Sequence, residues 1–345
     1  KAHFPRPKVC GCCINGFAVS TLRQLGLGHV LANGVPLRDV RIGARRRTAI
    51  VKLPGGVSLS REAFDVALIR EAEKAGARFR EGITAKLNGS NSDHANIRVQ
   101  ERAATDQERT ESVCAKVAII ASGLTGGDAA PVPGSRIGAG VGVPAERVPA
   151  FFDPGTIFMA TGAGGYVGLV RVEDGRLDMA AAFDVAFVKS QGGLGPAAEA
   201  VLGEVGWPLV PGLARLPWKG TPALTRCASQ LAGARWFAIG DAAGYVEPFT
   251  GEGMAWAVAS AAAVAPIAAR GVQAWNPALT REWDVAHGRV IGGRQRACRA
   301  VSRVLRSPVL TGAAVRVLSA LPFLSGPVVK GLNRPASFRP HGTTV

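Results

Sequence analysis

Residues Trp236 to Ala257 read WFAIGDAAGYVEPFTGEGMAWA: an apolar run meets Gly240-Asp241, bends through Gly244, Pro248, Gly251 and Gly253, and only then starts an alanine-rich helix. A strand-to-helix connection ordinarily takes about 2–6 residues, and this one takes roughly ten. A carboxylate at the carboxyl end of a parallel strand is where an open α/β sheet meets a ligand hydroxyl. The amides of a glycine-rich turn at a helix start form an anion site. Asp241 is thus placed to accept a hydrogen bond from a ribose or ribityl hydroxyl. The amides around Gly251, Glu252, Gly253 and Met254 are placed to meet a ring edge that gathers negative charge. Read from the residues alone, the segment fits a decorated loop of an ordinary α/β protein equally well.

The elements that must position these residues follow from periodicity. Residues 17–31 carry apolar positions at helical spacing and close on Gly26 and Gly28. LRDVRIGARRRTAIVKLPGG alternates like a strand pair turning around Arg45-Arg46-Arg47. Residues 60–82 read as a helix with Ser60 as N-cap, Phe64, Ala67, Leu68 and Ala72 as its apolar face, and Gly76 at its C-terminal cap. Two strands around a polar loop at 88–95 come next, and then AKVAIIASG (115–123), a continuous apolar run expected of a buried parallel strand. Residues 126–227 break into short strand-like pieces between Gly, Pro and Asp turns, the pattern of an antiparallel sheet. After Asn276-Pro277 the chain reads as helical and basic.

Bulk composition narrows the classes. The 345 residues are 47% apolar, enough for a sizeable globular core. Six cysteines make no disulfide framework, so reduced thiols and a cytoplasmic location are expected. Cys10, Cys12 and Cys13 cluster without a second ligand pair, so no metal is expected. Ala257–Ala269, the longest apolar stretch, contains Pro266 and is too short to span a bilayer; no signal peptide is read. The net charge of +16 raises the possibility of nucleic acid binding through a basic tail, since Val285–Val345 holds no Asp or Glu. Aromatic residues are only 6% and no zinc-finger, RNA-recognition or basic-zipper pattern accompanies the charge, so no nucleic-acid partner is expected.

The glycine-rich segment closely resembles the second flavin motif of FAD-dependent oxidoreductases of the geranylgeranyl-reductase and aromatic-hydroxylase group. Further segments fit that family in order. FPRPKVCG (4–11) resembles its loop beside the flavin, and the 60–76 helix resembles one whose leading arginine, here Arg61, approaches FAD. VAIIASG resembles the strand ending near the adenosine; YVGLVRVEDGRL resembles the substrate-domain sheet; PWKGTPALTR (217–226) resembles the return to the flavin domain. The resemblance implies an FAD-binding, Rossmann-like α/β domain (1–125 with 228–272), an inserted, mostly antiparallel β substrate domain (126–227), and a basic helical region (273–345). It implies Lys8, Cys10, Gly11, Arg61, Gly123, Gly240, Asp241, Pro248, Gly251, Glu252, Gly253 and Met254 as cofactor contacts, with NAD(P)H as electron donor.

The family opens with a strand and GxGxxG, and neither precedes FPRPK here. RIGAGVGV (136–143) and TGAGGYVG (161–168) mimic the fingerprint without opening a βαβ unit; both are read as turns. The expectation is truncation, with the first βαβ unit lying upstream. Cys12 and Cys13 stand where relatives often carry small residues, and are expected to pack.

Two chemistries suit the motifs: a monooxygenase that hydroxylates or epoxidises using a nicotinamide-reduced flavin, or a geranylgeranyl-reductase-like enzyme acting on isoprenoid double bonds. The halogenase branch is disfavoured, since no WxWxIP-like segment is present. A non-catalytic remnant of the fold is the third reading. The catalytic candidates are Tyr245, Cys10 and Arg171, whereas the five histidines are expected at the surface. Arg296, Arg299, Arg303 and Arg306 recur on one helix face opposite Val301, Val304 and Leu305, followed by an apolar stretch broken at Pro322 and Pro327. That pattern fits either a helix covering the substrate domain or peripheral membrane contact through 296–334. In the latter case, a hydrophobic substrate of isoprenoid, quinone or polyketide class follows.

Overall fold

The computed structural model describes residues 3–102, 108–247, 249 and 251–333. Pro248 lies outside them, as do residues 334–345. A seven-stranded sheet dominates, in the order Lys219–Ala223, Ile137–Val143, Leu177–Phe183, Gly165–Arg171, Thr156–Gly162, Asp39–Ala44, Arg47–Lys52. Neighbours are antiparallel except Thr156–Gly162 beside Asp39–Ala44, which run parallel with Thr156 opposite Asp39. The strand pair at 39–52, read as part of the first FAD segment, therefore belongs to the sheet built by 126–227. Its hairpin closes through Arg45 and Arg46 at φ 47° and 58°. That two-residue turn matches the twist of the flanking strands, at the cost of a left-handed backbone in two non-glycine residues.

Strand alternation gives the sheet two distinct faces. Phe158, Ala160, Val167, Leu169, Met179, Ala181 and Phe183 join the fully buried cluster beneath the Leu194–Val205 helix. Ile157, Met159, Tyr166, Gly168, Ala180 and Ala182 point the other way, into a large cavity.

RIGAGVGV is a strand of this sheet rather than a turn. A Cβ on Gly140 would stand 3.1 Å from Val9, and one on Gly138 would stand 2.6 Å from Thr221. The glycines thin the sheet so that the 4–11 loop and the neighbouring strand come close. TGAGGYVG, the second mimic, does hold a turn, at Ala163-Gly164, which joins the antiparallel strands Thr156–Gly162 and Gly165–Arg171.

The parallel element is small. Trp236–Ala238 runs beside Ala118–Ile120, with Ala232–Gly233 antiparallel on its other side. Ala118–Ile120 is thus parallel but not buried: it has one neighbour among the described residues, and Ile119 stays 42% exposed. Ile83–Ser90, Ala95–Arg102 and Glu108–Ala115 form a three-stranded antiparallel sheet, one strand more than the sequence pattern suggested. The helix starting at Arg61 ends at Lys74, not near 82, because Gly76 at φ 91° turns the chain out and its N–H bonds back to Glu73. Ser60 caps its start by accepting from Ala63 N.

The helix Gly253–Gln273 is longer than its alanine run implied, and by length and hydropathy it would reach across a bilayer. It buries Trp256, Ala259, Val264 and Ile267 in the body of the protein. His287, expected at the surface, is buried edge-on to Trp283, with ring centroids 5.4 Å apart. Burial lowers its pKa to about 4.

Candidate functional site

The strand Trp236–Ala238 delivers Gly240 and Asp241 into a tight turn, with Gly240 at φ 56°. Gly240 N donates to Ser260 Oγ at 3.0 Å, and a Cβ there would stand 3.4 Å from Ala257. Gly240 is thereby pinned against the helix that starts at Gly253. The Asp241 carboxylate faces the cavity, and no protein donor among the described residues reaches it. Burial raises its pKa to about 6, opposed by the Arg61 charge. A half-buried carboxylate without a protein donor is fitted to receive a ligand hydroxyl.

The start of the Gly253–Gln273 helix is held from beneath by Glu252, which is fully buried. Asn15 Nδ2 donates to it at 2.8 Å, Trp256 Nε1 at 3.0 Å and Arg294 Nη1 at 3.3 Å. Burial pushes the Glu252 pKa up while Arg294 works to hold it down. The same Asn15 caps the Gly16–Gln24 helix through its Oδ1, so one side chain joins two helix starts. Glu252 is therefore an anchor that fixes the amides around it. Gly251, at φ 67°, and Gly253 leave the turn open; a Cβ on Gly253 would meet Tyr245 at 3.1 Å. Tyr245 is stacked edge-on against Trp256, and burial, then Asp241, raises its hydroxyl pKa and keeps it neutral.

A cationic wall stands across from Asp241. Arg61 grips Asp65 through Nε and Nη2 at 2.9 and 3.0 Å, and Lys8 Nζ reaches Asp65 at 2.8 Å. Burial opposes the Arg61 charge, but Cys10 and Asp65 outweigh it and raise its pKa. Burial lowers the Lys8 pKa, as does Arg61. The cationic wall, Asp241 and the glycine-rich helix start all line one cavity of about 1180 Å³, with the glycine-rich cavity face of the sheet as its floor. That exceeds the roughly 300–1,000 Å³ of ordinary ligand pockets and leaves room for a large cofactor beside a substrate.

Every cofactor contact expected from the sequence within the described residues lines this cavity: Lys8, Cys10, Gly11, Arg61, Gly123, Gly240, Asp241, Gly251, Glu252, Gly253 and Met254. Of the catalytic candidates, Tyr245 and Cys10 line it and Arg171 does not. The Arg171 guanidinium is spent on backbone carbonyls of Phe152, Gly175 and Val148 at 2.6, 3.2 and 3.5 Å. It ties a loop to the far end of the sheet.

Sequence reading missed contributors from three parts of the chain. Asn15 drew no reading from the sequence. Tyr166 gave no signal beyond its place in an alternating strand. Thr311, Val315, Leu318 and Val329, from the C-terminal helices, also line the cavity, and local pattern does not reveal which face such helices bury.

No family model and no curated protein sequence matches this chain. Solved structures do. A flavoprotein/dehydrogenase from Cytophaga hutchinsonii superposes with TM-score 0.70 at 14% identity, over 96% of this chain and 89% of that one. The p-nitrophenol 4-monooxygenase of Pseudomonas putida gives 0.72 at 13% identity, over 97% and 91%. A flavin-dependent brominase gives 0.71 at 18% identity, over 96% and 85%. The chain has the fold these flavoproteins share: a Rossmann-like α/β part, a large mixed sheet and a C-terminal helical region.

Proposed function

We propose that this chain is an FAD-dependent oxidoreductase of the monooxygenase type acting on a hydrophobic small molecule. The observation that carries the reading is the convergence of Asp241, the Gly251–Met254 helix start and the Lys8–Arg61 wall on one cavity. Asp241 would accept from a sugar or ribityl hydroxyl, Arg61 and Lys8 would meet phosphate charge, and the helix-start amides would face the electron-accepting ring. Bound FAD would supply the two-electron and oxygen chemistry that no side chain here provides. The chain's own part is to bind, orient and exclude water. Apolar side chains such as Ile157, Met159 and Leu224 present a greasy wall to the substrate, and neutral Tyr245 offers a hydrogen bond at its edge. NAD(P)H is the proposed donor of electrons. Geranylgeranyl-reductase-like hydride delivery to an isoprenoid double bond is the second reading, favoured by the apolar character of the same wall.

The test is the visible spectrum of the chain purified with added FAD, alone and extended upstream to the start of its gene. A bound, peak-shifted flavin in either form supports the reading, and its absence from both overturns it. A bleach of that flavin by NADH or NADPH identifies the donor.

The proposed location is cytoplasmic, with peripheral contact at an anionic membrane. The C-terminal helices that line the cavity from inside present Val309 (63% exposed), Leu310, Val317, Phe323 (71% exposed) and Val328 to solvent. Arg303, Arg306, Arg316 and Lys330 are exposed around them. Apolar side chains ringed by cations suit the interface of an anionic bilayer, and there they would stand beside the cavity mouth. Co-sedimentation with vesicles containing anionic lipid, but not with zwitterionic ones, tests this placement.

A further inference from the structure

Three cysteines within four residues, Cys10, Cys12 and Cys13, line one wall of the cavity. The proposed cofactor contacts use only the first. Cys10 is partly exposed to the cavity, while Cys12 lies just behind it, 2% exposed and packed with Cys10 against Leu37, Val170 and Val172. Cys12 holds a left-handed backbone at φ 48°, which bends the chain sharply between the two sulfurs. Gly11 between them is exposed, and a Cβ on it would meet no heavy atom within 4 Å, so the segment has room to tighten. Residues two apart have Cα atoms no more than about 7.6 Å apart. A disulfide needs about 4.4–6.8 Å, so a bent Cys-Gly-Cys segment is within reach of closure. Beneath the pair, Asp178 keeps its Oδ2 buried without a hydrogen-bond partner. Among the described residues no group of three or more His, Cys, Asp or Glu is arranged to hold a metal ion.

We propose that Cys10 and Cys12 are a peroxide-oxidisable dithiol in the cavity wall, with Cys10 the attacking thiolate and Cys12 the resolving thiol. The charge pattern suits the division of roles. The Cys12 thiol, and then Arg61, stabilise the Cys10 thiolate and bring its pKa to about 5 against the opposing effect of burial. The hydrogen bond to Cys10, then burial, then the Asp178 charge push Cys12 up, and burial pushes Cys13 up. Near neutral pH the wall therefore presents one thiolate and two thiols. The other charged or titratable groups facing this wall are Lys8, Asp178 and Asp241, with Asp65 behind Arg61 and Tyr245 across the cavity.

The oxidant is hydrogen peroxide entering through the cavity. The Cys10 sulfur attacks one peroxide oxygen; an S–O bond forms, the O–O bond breaks, and the departing hydroxide takes a proton and leaves as water. Cys12 gives up its proton as it attacks the Cys10 sulfenic sulfur, beside an Asp178 carboxyl whose pKa burial raises well above the usual carboxylate range. The S–S bond forms, the S–O bond breaks, and the hydroxide leaves as a second water once it takes up that proton. In sum, two thiols and one peroxide give one disulfide and two waters. A small thiol reductant restores the pair by exchange. None of this requires flavin, so it stands apart from the proposed oxidoreductase activity.

The test treats the full chain with near-stoichiometric hydrogen peroxide and blocks remaining thiols with N-ethylmaleimide. Peptide mapping then reads the segment from Val9 to Arg23. The expected result is a peptide about 2 Da lighter, carrying the maleimide on Cys13 alone. The exposed Cys114 and Cys227 should keep their labels. Cys12→Ser should stop at a sulfenic acid on Cys10 that dimedone traps. Cys10→Ser should slow thiol loss in the segment at least about tenfold, the gap expected between a thiolate and buried thiols. Without peroxide, iodoacetamide alkylation of Cys10 should persist down to about pH 5. Maleimide on all three cysteines after peroxide, or a disulfide that includes Cys13, overturns the proposal. Wild-type mapping alone decides this, whatever the variants do to folding.

Discussion

The two faces of the seven-stranded sheet are built from the same strands and do opposite work. Toward the Leu194–Val205 helix, large side chains interlock: Phe158 lies among Phe151, Phe152 and Trp207, with ring centroids 5.1–5.7 Å apart, and is fully buried. Toward the cavity the same strands carry Gly138, Gly168, Ala180 and Ala182, and the space they leave is open for a ligand. One face gains stability by filling volume; the other gives stability up to keep volume empty. The most damaging substitution should therefore lie on the closed face and leave the site's chemistry alone. Phe158→Ala should cost about 3–5 kcal/mol in urea unfolding, the usual result of an aromatic cavity in a packed core. If it costs no more than Met159→Ala on the neighbouring cavity-facing position, the contrast between the faces is wrong.

Asp241 tests the open side from across the cavity. A carboxyl that titrates higher in the folded chain than unfolded holds its proton more tightly when folded. Its contribution is thus complete below pH 3.8 and is lost as pH rises through about 6. At neutral pH it is a destabilising charge of about 2–3 kcal/mol. Asp241→Asn should recover on the order of 2 kcal/mol above pH 6 and flatten the pH dependence of the melting temperature between pH 4 and 6. The same variant should lose at least about tenfold in FAD affinity, since an amide oxygen is a weaker acceptor than a carboxylate. A variant that gains stability and keeps the cofactor would show that Asp241 does not touch it.

Much of this asymmetry was legible in the sequence. Glycine, proline and aspartate at 240–253 announced a held turn, and SREAF announced a capped helix, because both signals are local: backbone conformations only glycine enters easily, and caps that bond within three residues. The sheet's true membership was not legible. Asp39–Ala44 pairs with a strand more than a hundred residues away, and alternation says that a strand exists without naming its partner. RIGAGVGV misled because glycine serves turns and close strand packing alike. His287 misled because one polar residue in a helix carries no mark of which side it faces. Arg171 was over-read for a related reason: the carbonyls that occupy it lie in loops whose approach only the fold reveals.

Arg171 then separates a positioned charge from a reacting one. Arg171→Ala should leave the Phe152 and Gly175 carbonyls short of a donor and cost about 1–3 kcal/mol, with FAD affinity unchanged. A loss of cofactor binding beyond what unfolding explains would place Arg171 in the site after all.

The smallest effect should come from the tail, where the open face is covered. Asn333 Oδ1 accepts from Gly16 N at 2.9 Å, and a Cβ on Gly16 would stand 2.8 Å from that oxygen. Asn333 Nδ2 in turn donates to Val329 O at 2.9 Å. One amide thereby fastens the last described helix to the start of the Gly16–Gln24 helix, beside the cavity mouth. Asn333→Ala removes both bonds, of which the tie between the helices is worth about 0.5–1.5 kcal/mol. Little of this should register in global unfolding, because the core under Phe158 does not involve the tail. Amide exchange should instead quicken selectively across Pro308–Asn333, since local opening needs only the local bonds to break. If exchange quickens equally in the Leu194–Val205 helix, the two faces are one cooperative unit, and the division of labour between them fails. If it quickens only in the tail, the cavity's cover is a separate, weaker element, as a wall that must admit a substrate requires.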